Sequence, residues 1–108
     1  MPASKEFEVV LEKIRARASE IRHSLNEDRL SYERLVQDYP MLDNTELEPV
    51  GAGGVPALWI TAPNANRNRA ILYFHGGGFV IGSNRTHSTM LSYLSRDAAT
   101  RVLGLDYR

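Results

Sequence analysis

The sequence predicts an α/β fold, and three observations carry that expectation. The N-terminal segment places apolar residues at helical spacing, the middle holds short extended runs punctuated by glycine and proline, and the last third reads strand, glycine loop, helix, strand. The expected division is a helical segment over 1–40 and a sheet-bearing segment over 41–108.

Each element follows from local pattern. From Lys5 to Leu25, the residues Phe7, Val10, Leu11, Ile14, Ala18, Ile21 and Leu25 recur in steps of three and four, which predicts one amphipathic helix with charges on its other faces. Asn26 or Asp28 caps a second helix, whose apolar face is Leu30, Leu35 and Val36 and which Pro40 ends. Thr45 to Val50 and Val55 to Thr61 flank Gly51-Ala52-Gly53-Gly54 and predict a β-hairpin with a four-residue turn. Residues 62–69 are polar and proline-marked, the composition of a surface loop. Ile71 to Phe74 is a run of bulky residues bounded by glycine, which predicts a third strand buried on both faces. Thr86 or Ser88 caps a helix through about Ala98 that buries Met90, Leu91, Leu94 and Ala98, and Val102 to Leu105 is a fourth strand. Strand, helix, strand in that order calls for a parallel pair joined by a crossover.

Composition narrows the function classes. The chain has 108 residues, and its thirteen basic side chains balance thirteen acidic ones, so no net field draws it to nucleic acid or an anionic membrane. It has no cysteine, hence neither a disulfide framework nor a thiolate metal site. No apolar run approaches the roughly 18 residues of a membrane span, and Met1 to Glu8 lacks the apolar core of a signal peptide; a cytoplasmic protein is expected. No acids or histidines stand at metal-ligand spacing on a common face, so no metal is expected.

The chemistry-bearing stretch is His75-Gly76-Gly77-Gly78-Phe79, directly after the third strand. Three consecutive glycines leave the main chain unshielded and free to take φ > 0. Amides held at a strand end and aimed at one point suit an anion or a developing oxyanion; the same composition also suits a plain flexible turn. Nucleotide motifs do not fit. No lysine follows Gly82, as a P-loop requires, and Gly76, Gly78 and Gly82 miss the dinucleotide spacing by one residue.

Two aliphatics, Phe74, His75 to Phe79, Ser83, Thr86 and His87, joined by Asp106-Tyr107-Arg108 at the end, resemble the signature of the hormone-sensitive-lipase-like carboxylesterases, a family of the α/β-hydrolase fold. The resemblance implies the N-terminal part of that fold: two cap helices, then strands in the order 1-2-4-3, with the pairing partner of the third strand absent. It implies a small acyl ester as substrate, no cofactor, an oxyanion hole at Gly76, Gly77 and Gly78 with the last two the main donors, and a loop-orienting His75. Phe79 lines the acyl pocket or belongs to the core. His87 is backbone-satisfied or catalytic, His23 is solvated surface, and Asp106 anchors the turn after the fourth strand. No serine stands in a Gly-x-Ser-x-Gly frame, so the nucleophile, acid and base are expected beyond Arg108, and the chain alone is expected to be inactive and to self-associate. The alternative is a naturally short, non-catalytic ligand-binding or oligomerising module on the same fold.

Overall fold

The structure is a computed structural model that describes residues 2–78 and 80–107. Three helices and four strands follow in the order α1 (Lys5–Ser19), α2 (Leu25–Val36), β1 (Glu46–Ala52), β2 (Val55–Thr61), β3 (Asn66–Phe74), α3 (Asn84–Ala98) and β4 (Thr100–Leu105). The strands form one sheet in the order β1-β2-β4-β3, as the family resemblance implies. β1 and β2 are antiparallel, β2 and β4 antiparallel, and β3 and β4 parallel, so the chain makes its crossover through α3.

The first helix is shorter than its apolar periodicity predicts. It stops at Ser19, and a new helix starts where the Ser24 hydroxyl accepts from the Glu27 amide at 3.2 Å and the Glu27 carboxylate accepts from the His23 amide at 2.6 Å. Ser24 is therefore the cap, in place of Asn26 or Asp28, and the Glu27 carboxylate reaches back one residue beyond it, to the His23 amide rather than that of Ser24. The apolar stripe of α1 faces outward, with Phe7 55% and Ile14 49% exposed. Polar links hold α1 to its neighbour instead: Lys13 to Asp38 at 2.9 Å and Arg17 to Asp28 at 2.7 Å.

The hairpin turn has two residues rather than four. Gly51 and Ala52 stay in register with Pro56 and Val55, and Gly53 (φ 60°) with Gly54 (φ 87°) supplies the left-handed pair that matches the twist of the strands. β1 is an edge strand, which is why Pro49 costs no ladder bond there.

The core lies between the sheet and α3. Ile60, Leu91 and Val102 are fully buried, with Leu58, Ile71, Tyr73 and Leu94 packed around them. Two buried serines of α3 stitch the helix to the loops: Ser92 accepts from the Leu42 amide at 3.0 Å, and Ser95 accepts from the Ala62 amide at 2.9 Å while donating to the Thr100 carbonyl at 2.6 Å. β3 departs from expectation twice. It begins at Asn66, inside the polar stretch read as loop, because the Asn66 amide bonds the Ala99 carbonyl at 2.9 Å and draws these residues to β4. It is also not buried on both faces, since β3 is the other edge strand and α3 covers one side; Leu72 is 55% and Phe74 60% exposed.

Candidate functional site

Parallel pairing of β3 with β4 sets Phe74 beside Leu105, so both strands deliver their next residues to the same end of the sheet. His75 and the glycines leave one strand there, while Asp106 and Tyr107 leave the other. Helix α3 begins at this end, capped by Ser83 rather than Thr86 or Ser88: Ser83 Oγ accepts from the Arg85 amide at 3.1 Å, and Thr86 Oγ1 accepts from the Ser83 amide at 2.9 Å. Asp106 does more than close a turn. Its carboxylate accepts from the Asn84 amide at 2.7 Å, placing a negative charge at the helix N-terminus, while Asn84 Nδ2 donates to the Gly104 carbonyl at 3.0 Å. A Cβ at Gly104 would overlap the Asn84 side chain and displace it from this position.

His75 is 6% exposed, and its ring lies against the loop that follows it. Nδ1 lies 3.0 Å from the Gly76 carbonyl oxygen; a carbonyl only accepts, so Nδ1 carries the proton. Nε2 is buried with no hydrogen-bond partner among the described residues. The Tyr107 ring stacks on the imidazole at 4.3 Å and 14°, and its hydroxyl donates to the His75 carbonyl. Gly82 (φ 97°) lies against the same ring, where a Cβ would come within 2.8 Å of His75 Nδ1.

These contacts turn the carbonyls of the loop toward the protein. The Gly76 carbonyl faces His75, and the Gly77 carbonyl accepts from the Val80 amide at 3.2 Å and the Ile81 amide at 3.1 Å. In a trans peptide the carbonyl and the following N–H point in opposite directions, so the Gly77 and Gly78 amides face away from those partners. Among the described residues no backbone carbonyl accepts from either. Gly77 (φ 137°) cannot be replaced without moving the turn, because a Cβ would overlap the Ile81 carbonyl; Gly76 has open space around it. Phe79 lies outside the described residues.

A cavity of about 470 Å³ opens beside the loop, lined by Arg29 and Glu33 of α2 and by His75, Ser83, Asp106 and Tyr107, among others. Behind it, His87 stands 5.8 Å from both His75 and Tyr73 and meets Tyr32 of α2 edge-on. Burial pushes the His87 imidazole below the ordinary histidine value; the Ser83 carbonyl opposes this shift and nearby His75 adds to it. His23 is exposed. Ser92 and Ser95 are fully buried and hydrogen-bonded, so neither is offered to a substrate. Among the described residues no three acidic, histidine or cysteine groups are arranged to hold a metal, and no helix is long and apolar enough to cross a membrane.

Reading the sequence alone missed Tyr107 as a contact of His75, Gly82 as a position that favours glycine, and Arg29 as a link from α2 to the loop. The Gly82-Ser83 step before a helix was the available signal for the second; the other two pairs are far apart in sequence.

Comparison with known proteins supports the fold. Residues 71–108 match a family described as having the α/β-hydrolase fold. An acetyl-hydrolase of Streptomyces hygroscopicus is 31% identical over 106 residues, covering 98% of this chain and 35% of that protein. The carboxylic ester hydrolase LipN of Mycobacterium tuberculosis is 34% identical over 68 residues, 62% of this chain and 18% of LipN. The crystal structure of an esterase from the bacterial hormone-sensitive lipase family superposes with a TM-score of 0.96 at 48% identity, over all of this chain and 36% of that one. The chain thus spans about a third of the length of the first of these relatives and of the solved esterase. The chain has the α/β-hydrolase fold and matches the N-terminal region of hormone-sensitive-lipase-family esterases.

Proposed function

We propose that this chain carries the oxyanion hole of a carboxylic-ester hydrolase acting on small acyl esters, with the serine nucleophile, the acid and the histidine base supplied by residues outside 1–108. The observation that carries the reading is the orientation of the glycine loop, in which two successive carbonyls are held inward and the Gly77 and Gly78 amides are left without backbone partners among the described residues. Attack of a serine on the ester carbonyl moves negative charge onto its oxygen, and donors already aimed at that point stabilise it without reorganising. Gly77 and Gly78 are the main donors, Gly76 completes the loop and His75 orients it. Residues 1–40 act as a cap, a role supported by Arg29 and Glu33 lining the cavity beside the loop. The name of one relative, an acetyl-hydrolase, supports a short acyl group, and that of another, a carboxylic ester hydrolase, supports ester hydrolysis. No cofactor enters the reaction.

The test is a chimera in which this chain replaces the matching region of the 48% identical esterase. The chain alone should not turn over short acyl esters, whereas the chimera should, and Gly78→Val should lower its kcat by roughly 10²- to 10³-fold with a smaller change in KM. Gly78 is the cleaner probe, since the space around its Cβ is open while that of Gly77 is blocked by the Ile81 carbonyl; because Gly78 has φ 63°, where valine strains the backbone, the variant's folding is measured alongside its rate. A folded chimera with no turnover would favour a non-catalytic ligand-binding or oligomerising module, and an active one indifferent to Gly78→Val would leave the loop as a plain turn.

A further inference from the structure

We propose that Tyr107 is a positioning residue for the glycine loop: it fixes the His75 side chain and main chain together and thereby sets the peptide planes that present the Gly77 and Gly78 amides. The proposal deepens the oxyanion reading and rests on it for its catalytic consequence.

Tyr107 reaches His75 because β3 and β4 are parallel neighbours whose last paired residues are Phe74 and Leu105. The tyrosine holds its target at two points. Its ring lies almost flat on the imidazole, 4.3 Å between centroids, and its hydroxyl donates to the His75 carbonyl. Phe74 supports the tyrosine ring at 6.1 Å. With the imidazole so held, Nδ1 faces the Gly76 carbonyl and must donate to it, which fixes the Gly76–Gly77 peptide and turns the Gly77 amide outward. Nothing else among the described residues hydrogen-bonds the imidazole, since Nε2 has no partner. The stack is thus what keeps the ring from rotating the donor away from Gly76. Gly82 completes the seat, because any side chain there would press on Nδ1.

The first arm of the test needs no catalysis. Nitrogen-15 NMR of the 108-residue chain should show neutral His75 protonated at Nδ1. Tyr107→Leu, which removes stack and hydroxyl, should disperse that tautomer and move the Gly77 and Gly78 amide resonances. Tyr107→Phe, which keeps the stack, should retain the tautomer with smaller shifts, and it serves as the probe if the leucine variant does not fold by then moving the His75 carbonyl carbon. A parent protonated at Nε2, or Gly77 and Gly78 amides indifferent to both variants, would overturn the proposal. The second arm uses the chimera: Tyr107→Leu should lower kcat about 10-fold with KM within about twofold, and Tyr107→Phe should restore most of it. Loss of turnover on Gly78→Val with none on Tyr107→Leu would sink the positioning role and leave the oxyanion hole standing. Indifference to Gly78→Val would sink the oxyanion hole, while the NMR arm would still decide whether Tyr107 holds His75.

Discussion

Arg29 Nε donates to the Val80 carbonyl at 2.9 Å, a contact that crosses 51 residues of chain and ties α2 to the turn closing the glycine loop. The same turn is built on the Gly77 carbonyl, which accepts from the Val80 and Ile81 amides. A helix of the N-terminal segment is therefore coupled to the peptide whose neighbour presents the loop amides.

Arg29→Met keeps most of the aliphatic stem and removes the donor. A net hydrogen bond is worth about 0.5–1.5 kcal/mol, so local opening of the turn should increase roughly 2- to 10-fold. Amide hydrogen exchange at Val80 and Ile81 reads this directly; unchanged protection there would mean that the loop holds itself and α2 merely rests on it.

The loop glycines should separate by substitution to alanine. Gly76→Ala meets no neighbour and should be nearly silent in chemical denaturation, whereas Gly77→Ala combines a positive φ with overlap on the Ile81 carbonyl. A cost of about 1–3 kcal/mol is expected at Gly77. Equal midpoints for the two variants would show that the turn relaxes freely.

Stability should fall on mild acidification through His87. Burial holds its folded-state value below the ordinary one, so between the two values the unfolded chain binds more protons than the native one. The contribution is complete above about pH 6.5 and is lost as pH falls through the lowered native value. Denaturation midpoints at pH 7.5 and 5.5 measure the slope, and His87→Gln should flatten it; a variant as acid-sensitive as the parent would assign the effect elsewhere.

Self-association of the isolated chain is expected from β3, an edge strand that exposes Leu72 and Phe74 on the face turned away from α3. Sedimentation velocity over a concentration series should show larger species that Leu72→Lys with Phe74→Lys removes. A parent that stays monomeric throughout would show that this edge does not recruit a second copy.

Local spacing in the sequence was enough to predict the α/β class, the hairpin, the glycine loop at a strand end and the helix that follows it. Periodicity and turn chemistry act over a few residues, and the resemblance around His75 to His87 added the strand order. The break between α1 and α2 was also legible, in Ser24-Leu25-Asn26-Glu27, but the longer apolar stripe through Leu25 outweighed it. That stripe predicts a buried face only when something covers it, and no residue of α1 is buried. Tertiary structure decided the rest. Tyr107 meets His75 across 32 residues because β3 and β4 pair in parallel register, Gly82 favours glycine because it takes a positive φ with the Gly76 carbonyl and the His75 ring against it, and Leu72 and Phe74 are exposed because α3 covers one face of an edge strand. Each of these depends on which elements become neighbours, a choice made by sheet register and layer packing rather than by the spacing of residues along the chain.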